Sequence, residues 1–139
     1  MPWNVKWLDE NERVLIMTPT APWEWGVMED TFDTANALAG GKPYKVDLIV
    51  EFTGDLKPPQ NPTGEHIAPF VPLRERLLDV PPNRGLMILV SAPLYVESIV
   101  RNLQSVVKEQ VNTDHIKFAD SLDEALAMIE KARLARDED

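Results

Sequence analysis

Chemistry in this 139-residue chain rests on a few polar side chains gathered behind one apolar segment. Val46-Asp47-Leu48-Ile49-Val50-Glu51-Phe52 reads as a strand, and Thr53-Gly54-Asp55-Leu56 carries it into a proline-stiffened loop, Lys57-Pro58-Pro59-Gln60-Asn61-Pro62-Thr63-Gly64. The loop ends just before a predicted helix start. A hydroxyl there accepts from free backbone amides, and a phosphate on it would face the positive end of the helix dipole. Thr63 is therefore either an N-cap or a phosphorylation site, with Glu65 and His66 in the first turn behind it. His66, Glu65 and Asp55 make a small polar cluster at the strand end.

The other reactive types are sparse. His115, at a predicted strand start, is the second of only two histidines, and there is no cysteine to act as nucleophile or zinc ligand. The chain contains no His-x-x-x-His, no His-Glu-x-x-His, no Gly-x-Ser-x-Gly elbow and no phosphate-cradling glycine loop. Asp9-Glu10, Glu29-Asp30 and Asp123-Glu124 pair carboxylates, but a turn, a solvated helix face and the preference of helix starts for negative charge explain them. No catalytic residue, metal or cofactor is expected. Trp23 and Trp25 flank the entry to the first predicted helix. Two residues apart they point in different directions, so if Trp25 joins the core, Trp23 is half exposed and suited to a binding surface.

Composition narrows the partners. A formal charge of −9 with 14 scattered basic residues argues against nucleic acid, whose phosphates call for clustered Lys and Arg. The longest apolar runs, Leu86 to Val90 and Val46 to Val50, fall far below the roughly 20 residues needed to cross a bilayer. Met1-Pro2-Trp3-Asn4 lacks the layout of a signal peptide, and the absence of cysteine fits a reducing compartment, so a cytoplasmic protein is expected. The length suits one domain spanning 1–139.

Periodicity supplies the elements that must position these residues. Val5 to Leu8 and Arg13 to Thr18 read as a hairpin around the polar turn Asp9 to Glu12, with Trp3, Trp7 and alternation in the second strand suiting one buried face. Pro22 opens a helix in which Trp25, Met28, Phe32, Ala35 and Ala39 recur at helical steps until Gly40-Gly41. In the strand Lys45 to Phe52, Val46, Leu48, Val50 and Phe52 take the core face and Ile49 lies among polar neighbours. A helix broken by Pro69 and resumed from Pro72 through Leu78 ends at Pro81-Pro82.

Leu86 to Val90 is an unalternated run of the kind covered on both faces. A helix from near Pro93 follows, with Val96, Ile99 or Val100, Leu103, and Val106 or Val107 as its stripe. Ile116 to Ala119 is the last strand. Ser121-Leu122-Asp123-Glu124 has the spacing of a capping box, and Leu122, Ala125, Leu126 and Ile129 form the buried side of the terminal helix. The order is ββαβαβαβα, an α/β fold with a small mixed, mostly parallel sheet and an N-terminal antiparallel hairpin.

From about Arg13 to Ala132 this layout resembles the STAS, or SpoIIAA-like, domains of anti-sigma-factor antagonists and sulfate-transporter tails. Two pieces carry the resemblance: Val46 to Leu56 leading to Thr63-Gly64, and the ending Ile116-Lys117-Phe118-Ala119-Asp120-Ser121-Leu122-Asp123-Glu124-Ala125-Leu126. In phosphorylatable members the hydroxyl residue just before the turn glycine accepts a phosphate from a partner kinase. The resemblance carries that role to Thr63, although Asn61 stands where the family has Asp and Pro58 and Pro59 stiffen the approach.

The expectation is a non-enzymatic regulatory or binding module whose partner is another protein or a small ligand. Its surface would run over Thr18 to Trp25, Asp55 to His66 and Ser91 to Tyr95, with Trp23, Asp55, Asn61, Thr63, His66 and Tyr95 as binding residues. Self-association as a homodimer through Trp3, Trp7 or Trp23 is part of it. The rival is a small enzyme or carrier using a strand-end pocket with His66, Asp55 and Tyr95.

Overall fold

A computed structural model describes residues 4–19, 25–52, 84–107 and 115–135. Within them lie β1 (Asn4–Trp7), β2 (Val14–Thr18), α1 (Trp25–Gly40), β3 (Val46–Glu51), β4 (Arg84–Val90), α2 (Leu94–Val107), β5 (Ile116–Ala119) and α3 (Leu122–Ala135). The proline-broken helix expected between β3 and β4 falls outside the described residues.

The five strands pair in chain order, β1-β2-β3-β4-β5. β1 runs antiparallel to β2, and every later pairing is parallel. Alternate residues divide the apolar side chains between two faces. Leu15, Met17, Leu48, Val50, Met87, Leu89 and Ile116 pack with Phe32, Ala35 and Ala39 of α1 and Val96 and Val100 of α2. Val14, Ile16, Ile49, Ile88, Val90 and Ala119 pack with Ala125 and Ile129 of α3. So α1 and α2 share one face, as crossovers of a single hand between sequential strands require, and α3 covers the other.

Burial on both faces changes two readings. β2 was expected to alternate between core and solvent, yet Val14 to Met17 are all buried, because its even-numbered side chains enter the second core. For the same reason Ile49 and Asp47 of β3 are fully enclosed instead of sharing a polar face. In α3 the buried positions are Ala125 and Ile129 with Leu122 and Met128 beside them, while Leu126 stays 38% exposed, just off the stripe that meets the sheet.

The hairpin is fastened to the α1–β3 connection at the amino edge of the sheet. Asp9 Oδ1 accepts from the amides of Arg13 at 3.0 Å and Val14 at 3.1 Å, closing the turn in which Glu12 takes a φ of 56°. Tyr44 donates its hydroxyl to the carbonyls of Asn11 and Glu12 and lies under the Arg13 guanidinium, 4.5 Å from the ring centroid. Lys42 pairs with Glu12 at 3.1 Å and sits over the half-buried Trp7 ring. That ring packs against the α1-side core. Of the other tryptophans proposed for self-association, Trp3 and Trp23 lie outside the described residues.

At the start of α3, Ser121 Oγ accepts from the Glu124 amide at 3.2 Å, as a capping box requires. The reciprocal bond differs from expectation: Glu124 Oε2 reaches past Ser121 to the Asp120 amide, also at 3.2 Å. Asp120 directly follows the last ladder residue, and the carboxylate supplies an acceptor to its amide. Ser121→Ala is expected to lower stability by about 1 kcal/mol, measured by urea unfolding.

Candidate functional site at the carboxyl edge of the sheet

Because β2 to β5 run parallel, Thr18, Phe52, Ser91 and Asp120 leave their strands at one rim. Parallel sheets bind ligands at this rim where the chain after one strand turns to one face and the chain after its neighbour turns to the other. Among the described residues that divergence falls between β4 and β5. After β4 the chain enters α2 on the α1 side; after β5 it enters α3 on the opposite side.

The gap is bridged by backbone and one hydroxyl. The Ser91 amide donates to the Ala119 carbonyl at 3.0 Å, and Ser91 Oγ donates to the Asp120 carbonyl at 3.1 Å. Ser91 holds a φ of 55°, a left-handed conformation that non-glycine residues seldom adopt and that gathers at functional sites. This conformation ends β4 and turns the chain into Ala92-Pro93 and the first turn of α2, where the Glu97 amide closes on the Pro93 carbonyl at 3.0 Å. Leu94, in that first turn, is 78% exposed.

Neighbouring groups are already engaged with one another. The Phe52 amide donates to the Val90 carbonyl at 3.0 Å, which ties the end of β3 to the end of β4. Phe52 and Ala92 are half-buried against the α1-side core. On α2, Glu97 Oε1 holds Arg101 in a one-turn ion pair of 2.9 Å, and the guanidinium stacks on Phe118 of β5, 4.6 Å from its centroid. Such a pair on an exposed helix face adds a few tenths of a kcal/mol and mainly fixes the Arg101 side chain over the ring.

Of the residues nominated from sequence, Trp23, Asp55, Asn61, Thr63 and His66 lie outside the described residues. Tyr95 lies in the first turn of α2, which places its backbone at the rim. His115 stands at the other edge: it precedes β5, and its carbonyl accepts from the Met87 amide at 2.8 Å. Sequence reading passed over Ser91 as a site residue in its own right and left out Asp120 and Ser121. The capping pattern marked Ser121, and Asp120 stood only in the ending that carried the resemblance, neither as one wall of a gap.

The chain matches no protein-family model, no curated protein and no solved structure. Among the described residues no helix is long and apolar enough to cross a membrane.

Proposed function

We propose that this chain is a regulatory or binding module that engages another protein through the rim between β4 and β5, and that its architecture is SpoIIAA-like. The carrying observation is the divergence itself: the segments after β4 and β5 part to opposite faces, and Ser91 is held left-handed between them. Sequential parallel strands with a helix after β2, β4 and β5 support the architectural reading. The protein-binding reading draws support from the way Ser91 Oγ and the Asp120 carbonyl satisfy each other across the gap while an apolar side chain stands outside it. A small-molecule site turns such groups toward a concavity instead.

The test compares two exposed leucines at opposite ends of the molecule. Leu94 is at the carboxyl rim and Leu134, 75% exposed, is in the last turn of α3, which starts at that rim and runs away from it. Pull-downs from the soluble extract of the native cell should recover partners with the unaltered protein and with Leu134→Glu, and lose them with Leu94→Glu. Equal recovery by both variants would remove the rim from consideration.

A further inference from the structure

Asp47 is fully buried, at 0% exposure, in a strand whose neighbours are Val46, Leu48, Ile49 and Val50. The β3–β4 register shows why a carboxylate is there. Val46 pairs with Arg84 but Leu48 with Met87, so β4 carries an extra residue opposite Asp47. A bulge of this kind takes a backbone donor out of the ladder. That donor is the Leu86 amide, and Asp47 Oδ1 accepts from it at 2.7 Å. The Asp47 amide itself donates to the Arg13 carbonyl of the other neighbouring strand segment at 3.0 Å.

The other oxygen faces a different element. Arg133, in the last turn of α3, brings Nε to 3.4 Å from Asp47 Oδ2, with its own side chain 24% exposed. This contact comes at the far end of a helix with few anchors: Ala125 and Ile129 are its buried side chains, and Ser121 and Glu124 hold its start. The final turns carry no buried apolar residue after Ile129. Beyond the half-buried Ala132, the contact that ties these turns to the sheet among the described residues is this ion pair, a charge–charge approach with no hydrogen bond in it. Arg133 also lies where a cation favours the negative end of the helix dipole.

We infer that the two oxygens of Asp47 have separable tasks: Oδ1 sets the β3–β4 register at the bulge, and Oδ2 latches α3 as a releasable strap over the second face of the sheet. Freeing Oδ2 from Arg133 lets the last turns of α3 lift while the bulge stays paired. Opening that continues along the helix uncovers Ile49, Ile88 and Val90. The inference is independent of the function proposed for the opposite rim.

Hydrogen exchange of the full chain, read by peptide and referenced to α1, tests the division. In Asp47→Asn with Arg133→Met both charges are gone, so none is left buried alone, and the asparagine carbonyl still accepts from Leu86. The last turns of α3 should exchange at least about tenfold faster, and the peptide containing Leu86 should keep its protection. Asp47→Ala with Arg133→Met should speed both regions. The inference is overturned if α3 is unchanged in the first double variant. It is equally overturned if Leu86 opens together with α3 there, or if α1 accelerates as much as α3, since the loss would then be global.

Discussion

Asp47→Ala is expected to remove about 3–5 kcal/mol of stability, a large part of the 5–15 kcal/mol that holds a domain folded. Two costs combine. The Leu86 amide loses its acceptor inside the sheet, which alone amounts to about 1–3 kcal/mol, and Arg133 is left three-quarters buried without its counter-ion. Replacing the pair by apolar residues separates them. In many proteins that exchange is neutral or stabilising, because desolvating two ions offsets their attraction. Here Asp47→Leu with Arg133→Met should recover the charge component and still fall short of the unaltered protein, because leucine offers the bulge no acceptor. Equilibrium unfolding in urea reads both variants. Full recovery in the double replacement would mean that Oδ1 is not what satisfies Leu86.

Ile49→Ala should cost about 2–5 kcal/mol. Ile49 has no exposed surface and packs among Ile16, Ile88, Val90 and Ile129, so truncation leaves a cavity between the sheet and α3. The same substitution in a strand with one solvated face would change stability by about 0.5 kcal/mol or less. Leu126→Ala, on the outward side of α3, serves as the control and should stay within that smaller range. The urea midpoints of the two variants therefore measure whether α3 closes a second core. Similar small shifts in both would contradict the two-sided burial of β3.

Much of the fold was legible because local patterns dictate local elements. Ile116 to Ala119 was bounded as observed, Gly40-Gly41 ended α1, and the apolar run before Ser91 was read as a strand covered on both faces. What escaped was the side to which each helix turns. Periodicity shows that α2 and α3 each have an apolar stripe, but nothing in the stripe says that they oppose each other across the sheet. The gap between β4 and β5 arises from that choice.

Asp47 escaped for a related reason. A charge at an alternate strand position ordinarily marks a solvated face. Its burial depends on a bulge in β4 and on a guanidinium from the far end of the chain, neither of which leaves a mark near residue 47. Ser91 is harder still, since serine is not the residue that a left-handed turn usually selects. The Asp120 carbonyl that holds its hydroxyl comes from just beyond the end of another strand.

Strand order also has a bearing on how the molecule is made. Each strand lies beside the one that precedes it in the chain, so every pairing closes only the segment between two consecutive strands, the longest being residues 52–83 between β3 and β4. Assembly can therefore proceed in the direction of synthesis, β2 receiving β3, then β4, then β5. The face occupied by α1 and α2 is sheltered as it grows. Among the described residues, its reverse is covered by residues 122–135. Of the described residues, it is these late ones that take Val14, Ile16, Ile49, Ile88 and Val90 out of water, and exposed aliphatic surface of that kind is what chaperones recognise on unfinished proteins.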